Sequence, residues 1–244
     1  AERPQILIGW FIAVGTPVAL QLPGVCVQYG HALVAVAVCD VGLVGIGVKR
    51  NLGNKRVAVL DADTGALKRY WGAYGNEPSD ENLGPFRPGE EPAQQFRNPV
   101  HCAEPSKDGL IYVCDRVNNR LQVFQPDGTF VNELFVKPNS LGDGSVWDIS
   151  FSPDDEQKFI YLADGTNRKI FIIERETMEI LTNFGDGGRN PGQFFAVHNI
   201  ATDSKGNIYT TETYEGKRLQ KFTYTGMGPV TVMDQGTPWP ADRR

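Results

Sequence analysis

The chain has 244 residues, 41% of them hydrophobic and 22% charged, with a formal net charge of −5. Such a length buries roughly 70–75% of the unfolded surface, so the fold needs no staples, and the composition excludes the disordered and collagen-like classes. With no basic cluster, the charge argues against a nucleic-acid partner and leaves small molecules, metal ions and proteins.

Taken in chain order, residues 1–50 stand apart. Between Pro4 and Val48 the only formally charged residue is Asp40. Residues 6–24 look faintly like an export signal, yet carry two prolines and several glycines, which suits a membrane helix poorly; they are read first as strands of the folded domain and second as a leftover targeting segment. No membrane span is expected. For residues 1–50 as a whole, three readings stand open: a degenerate blade buried on both faces, a membrane-seeking arm, or a segment foreign to the repeats that follow.

From residue 51 onward the chain repeats. The segments at 51–65, 114–128, 163–177 and 211–226 each show a polar turn, a basic residue, an alternating apolar strand and a second turn. Their basic anchors, Arg56, Arg120, Lys169 and Arg218, are spaced by 64, 49 and 49 residues. A Gly/Pro-rich insert at 69–97 accounts for the longer first spacing; its acids (Glu77, Asp80, Glu81, Glu90 and Glu91) read as a solvated face, although long loops of this kind are often functional. Before the last three anchors come NPVHCAEPSKDGLIYVCD (98–115), SVWDISFSPDDEQKFIYLAD (145–164) and FAVHNIATDSKGNIYTTE (195–212). Each reads as strand, tight turn, strand: Asp, Asn, Ser and Gly supply the turns, and Ile, Val, Tyr and Phe the strands. About four antiparallel strands per repeat, stacked radially so that each sheet covers its neighbours, make an all-β propeller. The expectation is one propeller domain over 1–244, with five or six four-stranded blades, four of them clear.

The stretch 98–131 closely resembles an NHL repeat, and GDGGRNPGQFFAVHNIATDSKGNIYTTE has the Gly-rich lead-in and GQF of that family. The resemblance covers residues 51 to about 226.

Three residues fall at one repeat position. His101 lies 11 residues before Tyr112, His198 lies 11 before Tyr209, and Trp147 lies 14 before Tyr161, across a longer turn. At the entry of an innermost strand this position faces the channel, so His101 and His198 are candidate ligands of a divalent metal, zinc first, with calcium or manganese as alternatives. The competing reading makes them pore-lining histidines bonded to water. The next position holds Cys102, Asp148 and Asn199, which strand alternation turns away from that surface. At a strand's first residue this rule is weak, which leaves Asp148 a candidate ligand or base. Trp147 and Asn199 are candidate substrate contacts.

Among NHL propellers the chain is similar to the peptidylamidoglycolate lyase domain. That resemblance implies a six-bladed propeller that binds zinc through histidines opening inner strands, matched here by NPVHCA at His101 and FAVHNI at His198. It also implies a catalytic arginine in an N-x-R turn, matched by NLGNKRVAV at Arg56, though every repeat has a basic residue there. The family's third histidine, expected shortly after the last repeat, has no counterpart in FTYTGMGPVTVMDQG, and His31 is out of repeat register. No tyrosine matches the family's catalytic one. GxSxG, P-loop and HExxH motifs are absent.

None of the four cysteines, Cys26, Cys39, Cys102 and Cys114, forms a CxxC. Cys102 and Cys114 flank the SKDG turn almost symmetrically, which leaves a cross-strand disulfide open and with it an oxidising compartment. The reading that results is a secreted or periplasmic metal-dependent lyase or hydrolase acting on a small polar or peptide substrate. Two alternatives remain: a scaffold binding a protein or glycan through the channel face or the insert, and a truncated repeat protein without activity of its own.

Overall fold

The computed structural model describes residues 10–12, 55–61 and 63–237. These residues build an all-β structure, and none of its helices is long and apolar enough to cross a membrane. They belong to two compact units, one comprising Pro17–Asp143 and the other Ala1–Thr16 with Gly144–Arg244.

The chain's first described strand, β1 (Trp10–Ile12), belongs to the second unit. The Pro17–Asp143 unit opens with a two-stranded hairpin, β2 (Val57–Leu60) and β3 (Leu67–Trp71). The expected insert at 69–97 begins later than its sequence suggests, because Arg69, Tyr70 and Trp71 pair with β2 as part of β3; it opens with a 3-10 turn at Ala73–Gly75. Then β4 (Val100–Pro105), β5 (Ile111–Asp115), β6 (Arg120–Phe124) and β7 (Phe130–Phe135) form a four-stranded antiparallel meander in chain order. The turns do what their residues dictate. Gly128 closes the β6–β7 turn at φ +97, with the Trp71 ring 3.0 Å from where a Cβ would stand, so both conformation and space require glycine. Val57, Val59, Trp71, Phe96, Val113 and Phe124 form one core that joins hairpin and meander.

In the second unit, β8 (Asp148–Phe151), β9 (Phe159–Asp164), β10 (Lys169–Glu174) and β11 (Glu179–Phe184) form a second meander. The Gly-rich lead-in folds as a short parallel pair, β12 (Asp186–Gly187) with β13 (Gln193–Phe194). The third sheet has β14 (Val197–Thr202), β15 (Ile208–Glu212) and β16 (Leu219–Tyr224), and its fourth place is taken by β1, with Trp10 opposite Tyr224. Ile170, Ile172 and Phe184 from one sheet pack with Val197, Ile208 and Phe222 from the other in a single buried cluster. This is how sheets with two apolar faces remove them from water.

Among the described residues the expected repeats thus give three four-stranded sheets and one two-stranded hairpin. In the first repeat β2 and β3 follow from the anchor Arg56 as β6 and β7 follow from Arg120, and the residues preceding this anchor, up to residue 54, lie outside the described residues except for β1. Of the apolar first 50 residues only β1 is described; it completes a sheet made by the last repeat. The rest of that segment, with His31, Cys26 and Cys39, lies outside the described residues.

The basic anchor of each repeat has a structural task. Arg120 is fully buried and bonds the Asp115 carboxylate at 2.8 Å, the Tyr74 hydroxyl at 2.8 Å and the Ala93 carbonyl at 2.7 Å. Arg218 pairs with Glu212 and donates to carbonyls of the lead-in at Gly188 and Gln193. Lys169 bridges Asp186 at 3.2 Å and Asp234 at 2.9 Å. The two arginine anchors therefore tie the end of a second strand to the segment that leads into the same sheet. Arg120 pins the insert in this way, with help from Arg97, which donates to Asn118, Leu83 and Gly84.

Candidate functional site

The three sheets share one irregularity. Val100 pairs with Asp115 and Cys102 with Cys114, so His101 is an extra residue in β4. Val197 pairs with Glu212 and Asn199 with Thr211, so His198 is the extra residue in β14. Trp147 donates its N–H to the Ala163 carbonyl at 3.0 Å while Asp148 is also paired with Ala163, so two residues face one there as well. Three residues further on, Glu104, Ser150 and Ala201 stand opposite Tyr112, Tyr161 and Tyr209. His101, Trp147 and His198 are therefore equivalent positions, each at a β-bulge opening the first strand of its sheet, and bulges of this kind re-aim side chains.

The bulge defeats the alternation expected from the sequence. Asn199 does not turn away from His198: its Oδ1 lies 2.7 Å from the imidazole Nδ1. Its Nδ2 donates to Asp148 Oδ2 at 3.2 Å, and the Ile200 backbone N–H donates to the same oxygen at 3.0 Å. The edge of the His198 ring meets the Trp147 indole, with centroids 5.4 Å apart and planes at 84°. Trp147 is 2% exposed, and its indole N–H donates to the Gly144 carbonyl at 2.8 Å.

This arrangement fixes protons. Asn199 turns its NH2 toward Asp148, to which it donates. Its carbonyl oxygen then faces His198, and Nδ1 must carry the hydrogen. The neutral ring is thereby held in the tautomer whose lone pair is on Nε2, the state in which an imidazole takes a proton or ligates a cation.

Trp147, Asp148, His198 and Asn199 are thus brought together in one unit. Asp148 is 8% exposed and accepts two N–H groups, so it acts as the tie that orients Asn199 and joins β8 to β14. Trp147 is enclosed and packs against His198; Asn199 is exposed. Arg56 and His101 belong to the other unit. Arg56 sits 3.7 Å from the exposed Asp80 of the insert and 5.5 Å above the Tyr70 ring. His101 is half-buried beside the Cys102–Cys114 disulfide, which spans directly opposite residues of β4 and β5 with Cα atoms 4.8 Å apart.

One polar cluster was not read from the sequence. Tyr74, at φ 56, donates its hydroxyl to Glu133 at 3.0 Å and receives the Arg120 guanidinium at 2.8 Å. Burial, with the Glu133 carboxylate adding to it, pushes its phenol up to about 12. Gly72 and Gly75, which flank Ala73 and Tyr74, were the available signal for a strained turn there.

Among the described residues no three His, Cys, Asp or Glu side chains are grouped as metal ligands would be. The donor set of the described site is one oriented imidazole, which does not complete the three protein ligands of a catalytic zinc.

No protein-family model matches the chain. Solved structures similar to it include the β-propeller domain of Cps50 (Swd1) from Myceliophteria thermophila (TM-score 0.48, 10% identity, covering 75% of this chain and 50% of that one). Hydrazine synthase from Kuenenia stuttgartiensis gives TM-score 0.48 and 14% identity, covering 72% of this chain and 42% of that one. Glutaminyl cyclase from Myxococcus xanthus gives TM-score 0.45 and 12% identity, covering 80% and 74%. The chain spans about half the length or less of the first two. Likenesses at this level assign neither an architecture nor an activity.

Proposed function

We propose that the protein is an NHL-type β-propeller enzyme whose reactive group is the His198 imidazole, with lyase- or hydrolase-type chemistry on a small polar or peptide substrate. The observation that carries this is the Asp148–Asn199–His198 chain, which holds a partly exposed imidazole in one tautomer. Holding an imidazole through its second nitrogen is the arrangement that general-base and metal-bound histidines share. The chain's own step is acceptance of a proton by Nε2: in a lyase from a hydroxyl whose oxygen becomes a carbonyl as the carbon–nitrogen bond breaks, in a hydrolase from a water whose oxygen bonds the acyl or phosphoryl centre as the bond to the leaving oxygen breaks, and in both the imidazolium returns the proton to the leaving atom. As the imidazolium forms, Asn199 Oδ1 keeps its hydrogen bond from Nδ1 and Asp148 keeps Asn199 in place. The NHL resemblance implies a divalent cation, which when bound would supply Lewis-acid polarisation; His198 would contribute one of its ligands. The buried disulfide supports an oxidising compartment, hence export.

The test uses wild type, His198→Ala and His101→Ala, each washed with chelator and reloaded with zinc, calcium or manganese. Metal content is measured beside turnover of peptides ending in hydroxyglycine, lactones and phosphoesters. The expectation is turnover that falls about 10²–10⁴-fold in His198→Ala, the range general-base catalysis contributes. Turnover unchanged in that variant would overturn the assignment of His198. One equivalent of cation retained by both variants would separate the metal from the histidines. A wild type that turns over nothing and loads no cation would favour a binding scaffold instead.

A further inference from the structure

The last sheet carries an inconsistency between pattern and pairing. In the two complete meanders the outer strand begins ten residues after the basic anchor: β7 at Phe130 after Arg120, and β11 at Glu179 after Lys169. The same count from Arg218 gives residues 228–233, Gly-Pro-Val-Thr-Val-Met, in which Val230 and Val232 flank Thr231 as strand formers and the proline stands where an edge tolerates it. Those residues are not the outer strand. That place on β16 is held by β1, which pairs with Phe222, Thr223 and Tyr224.

Residues 232–237 instead form a strap along the outer edge of β11. Asn183 donates its N–H to the Met233 carbonyl at 2.9 Å, Gln235 donates to the Asn183 carbonyl at 2.9 Å, and Gly185 donates to the Gly236 carbonyl at 2.7 Å. Lys169 reaches Asp234, and the Thr237 hydroxyl donates to Asp186 at 2.7 Å. The strap buries little apolar surface. Val232 is 52% exposed, Met233 is 58% exposed, and Leu219 on β16 is 61% exposed. Beneath the strap the Asn183 Oδ1 is buried without a hydrogen-bond partner, a position that costs free energy.

Moving the segment resolves these features together. Placed as β7 is placed on β6, where Leu121 faces Leu134, residues 228–233 set Val232 opposite Leu219 and free Asn183 to meet water. We propose that the fourth place on the third sheet is an exchangeable slot. It is filled either by Trp10–Ile12 or by residues 228–233 as a hairpin with β16, and the second arrangement lifts the strap and opens the β11 edge. The fold then has two states that differ in which segment closes the last sheet.

Two cysteine pairs, each in a Cys26→Ser, Cys39→Ser background, report the two states. Phe11→Cys with Thr223→Cys bridges the arrangement seen here; Leu219→Cys with Val232→Cys bridges the other. Under mild oxidant both pairs should cross-link. In the second, oxidised variant, the Asn183 and Gly185 amides should exchange at least about tenfold faster, since the strap supplies their acceptors. Failure of Leu219→Cys/Val232→Cys to cross-link while the first pair goes to completion would overturn the proposal. So would cross-linking that leaves both amides protected, or a second pair that closes fully while the first never does, because each describes a single arrangement.

Discussion

Arg120→Met should destabilise the protein by about 3–5 kcal/mol, because it removes one partner of a buried ion pair and leaves the other uncompensated. Both Arg120 and Asp115 have fully buried side chains. The guanidinium also satisfies the Tyr74 hydroxyl and the Ala93 and Gln95 carbonyls, so the insert loses its fastening along with the carboxylate's partner. The deficit should depend on pH. Burial already raises the Asp115 carboxyl above its ordinary value despite Arg120, and without Arg120 it rises further. A group whose folded pKa is raised contributes its stability below the unfolded value and loses it as pH rises. The deficit is therefore largest at neutral pH and shrinks on approach to about pH 4. Urea unfolding of wild type and variant at neutral and acid pH measures both. Adding Asp115→Leu to Arg120→Met should recover only part of the loss, since the Tyr74, Ala93 and Gln95 oxygens remain without their donor. An Arg120→Met protein as stable as wild type at neutral pH would mean the anchor is not a clamp.

Removing the Cys102–Cys114 bridge as a double alanine variant should cost about 2–4 kcal/mol, most of it from the larger freedom of the unfolded chain. The two residues are 12 apart in sequence and stand directly opposite each other in β4 and β5. Both are buried, so reductant should act slowly on the folded protein and fully on the unfolded one. The wild type should unfold at lower denaturant when reductant is present, and the double variant should be indifferent to it. An unfolding midpoint that reductant does not move in the wild type would contradict the prediction. The bridge lies one position from the His101 bulge, so local loosening there should accompany the loss of stability.

The sequence was informative where structure is local. The hairpins around SKDG, SPDDEQ and SKGN are present because their turn residues and flanking β-formers leave few alternatives. The symmetric placing of Cys102 and Cys114 about a turn put them opposite each other. The shared position of His101, Trp147 and His198 came from counting to the next strand. Pairing between strands was hidden. A bulge adds one residue relative to the partner strand without changing the local pattern, so alternation sent Asn199 away from His198 when the two are hydrogen-bonded. The same holds for Asp148, whose donors lie 51 and 52 residues away in sequence. Trp147 looked like a channel residue, yet it is sealed beneath His198. The source of the fourth strand in the last sheet joins residues some 210 apart, and no periodicity within the repeats encodes it.

The account rests most heavily on the imidazole of His198 being held through its Nδ1 hydrogen. Long-range proton–nitrogen correlation NMR of the histidine rings at about pH 8, where the ring is neutral in the ordinary case, reads the tautomer directly; His198→Gln identifies the signal. The account predicts a ring protonated at Nδ1 in the wild type, and a shift toward protonation at Nε2 in Asn199→Leu, where the acceptor is gone. A wild-type ring already protonated at Nε2, unchanged by Asn199→Leu, would contradict it.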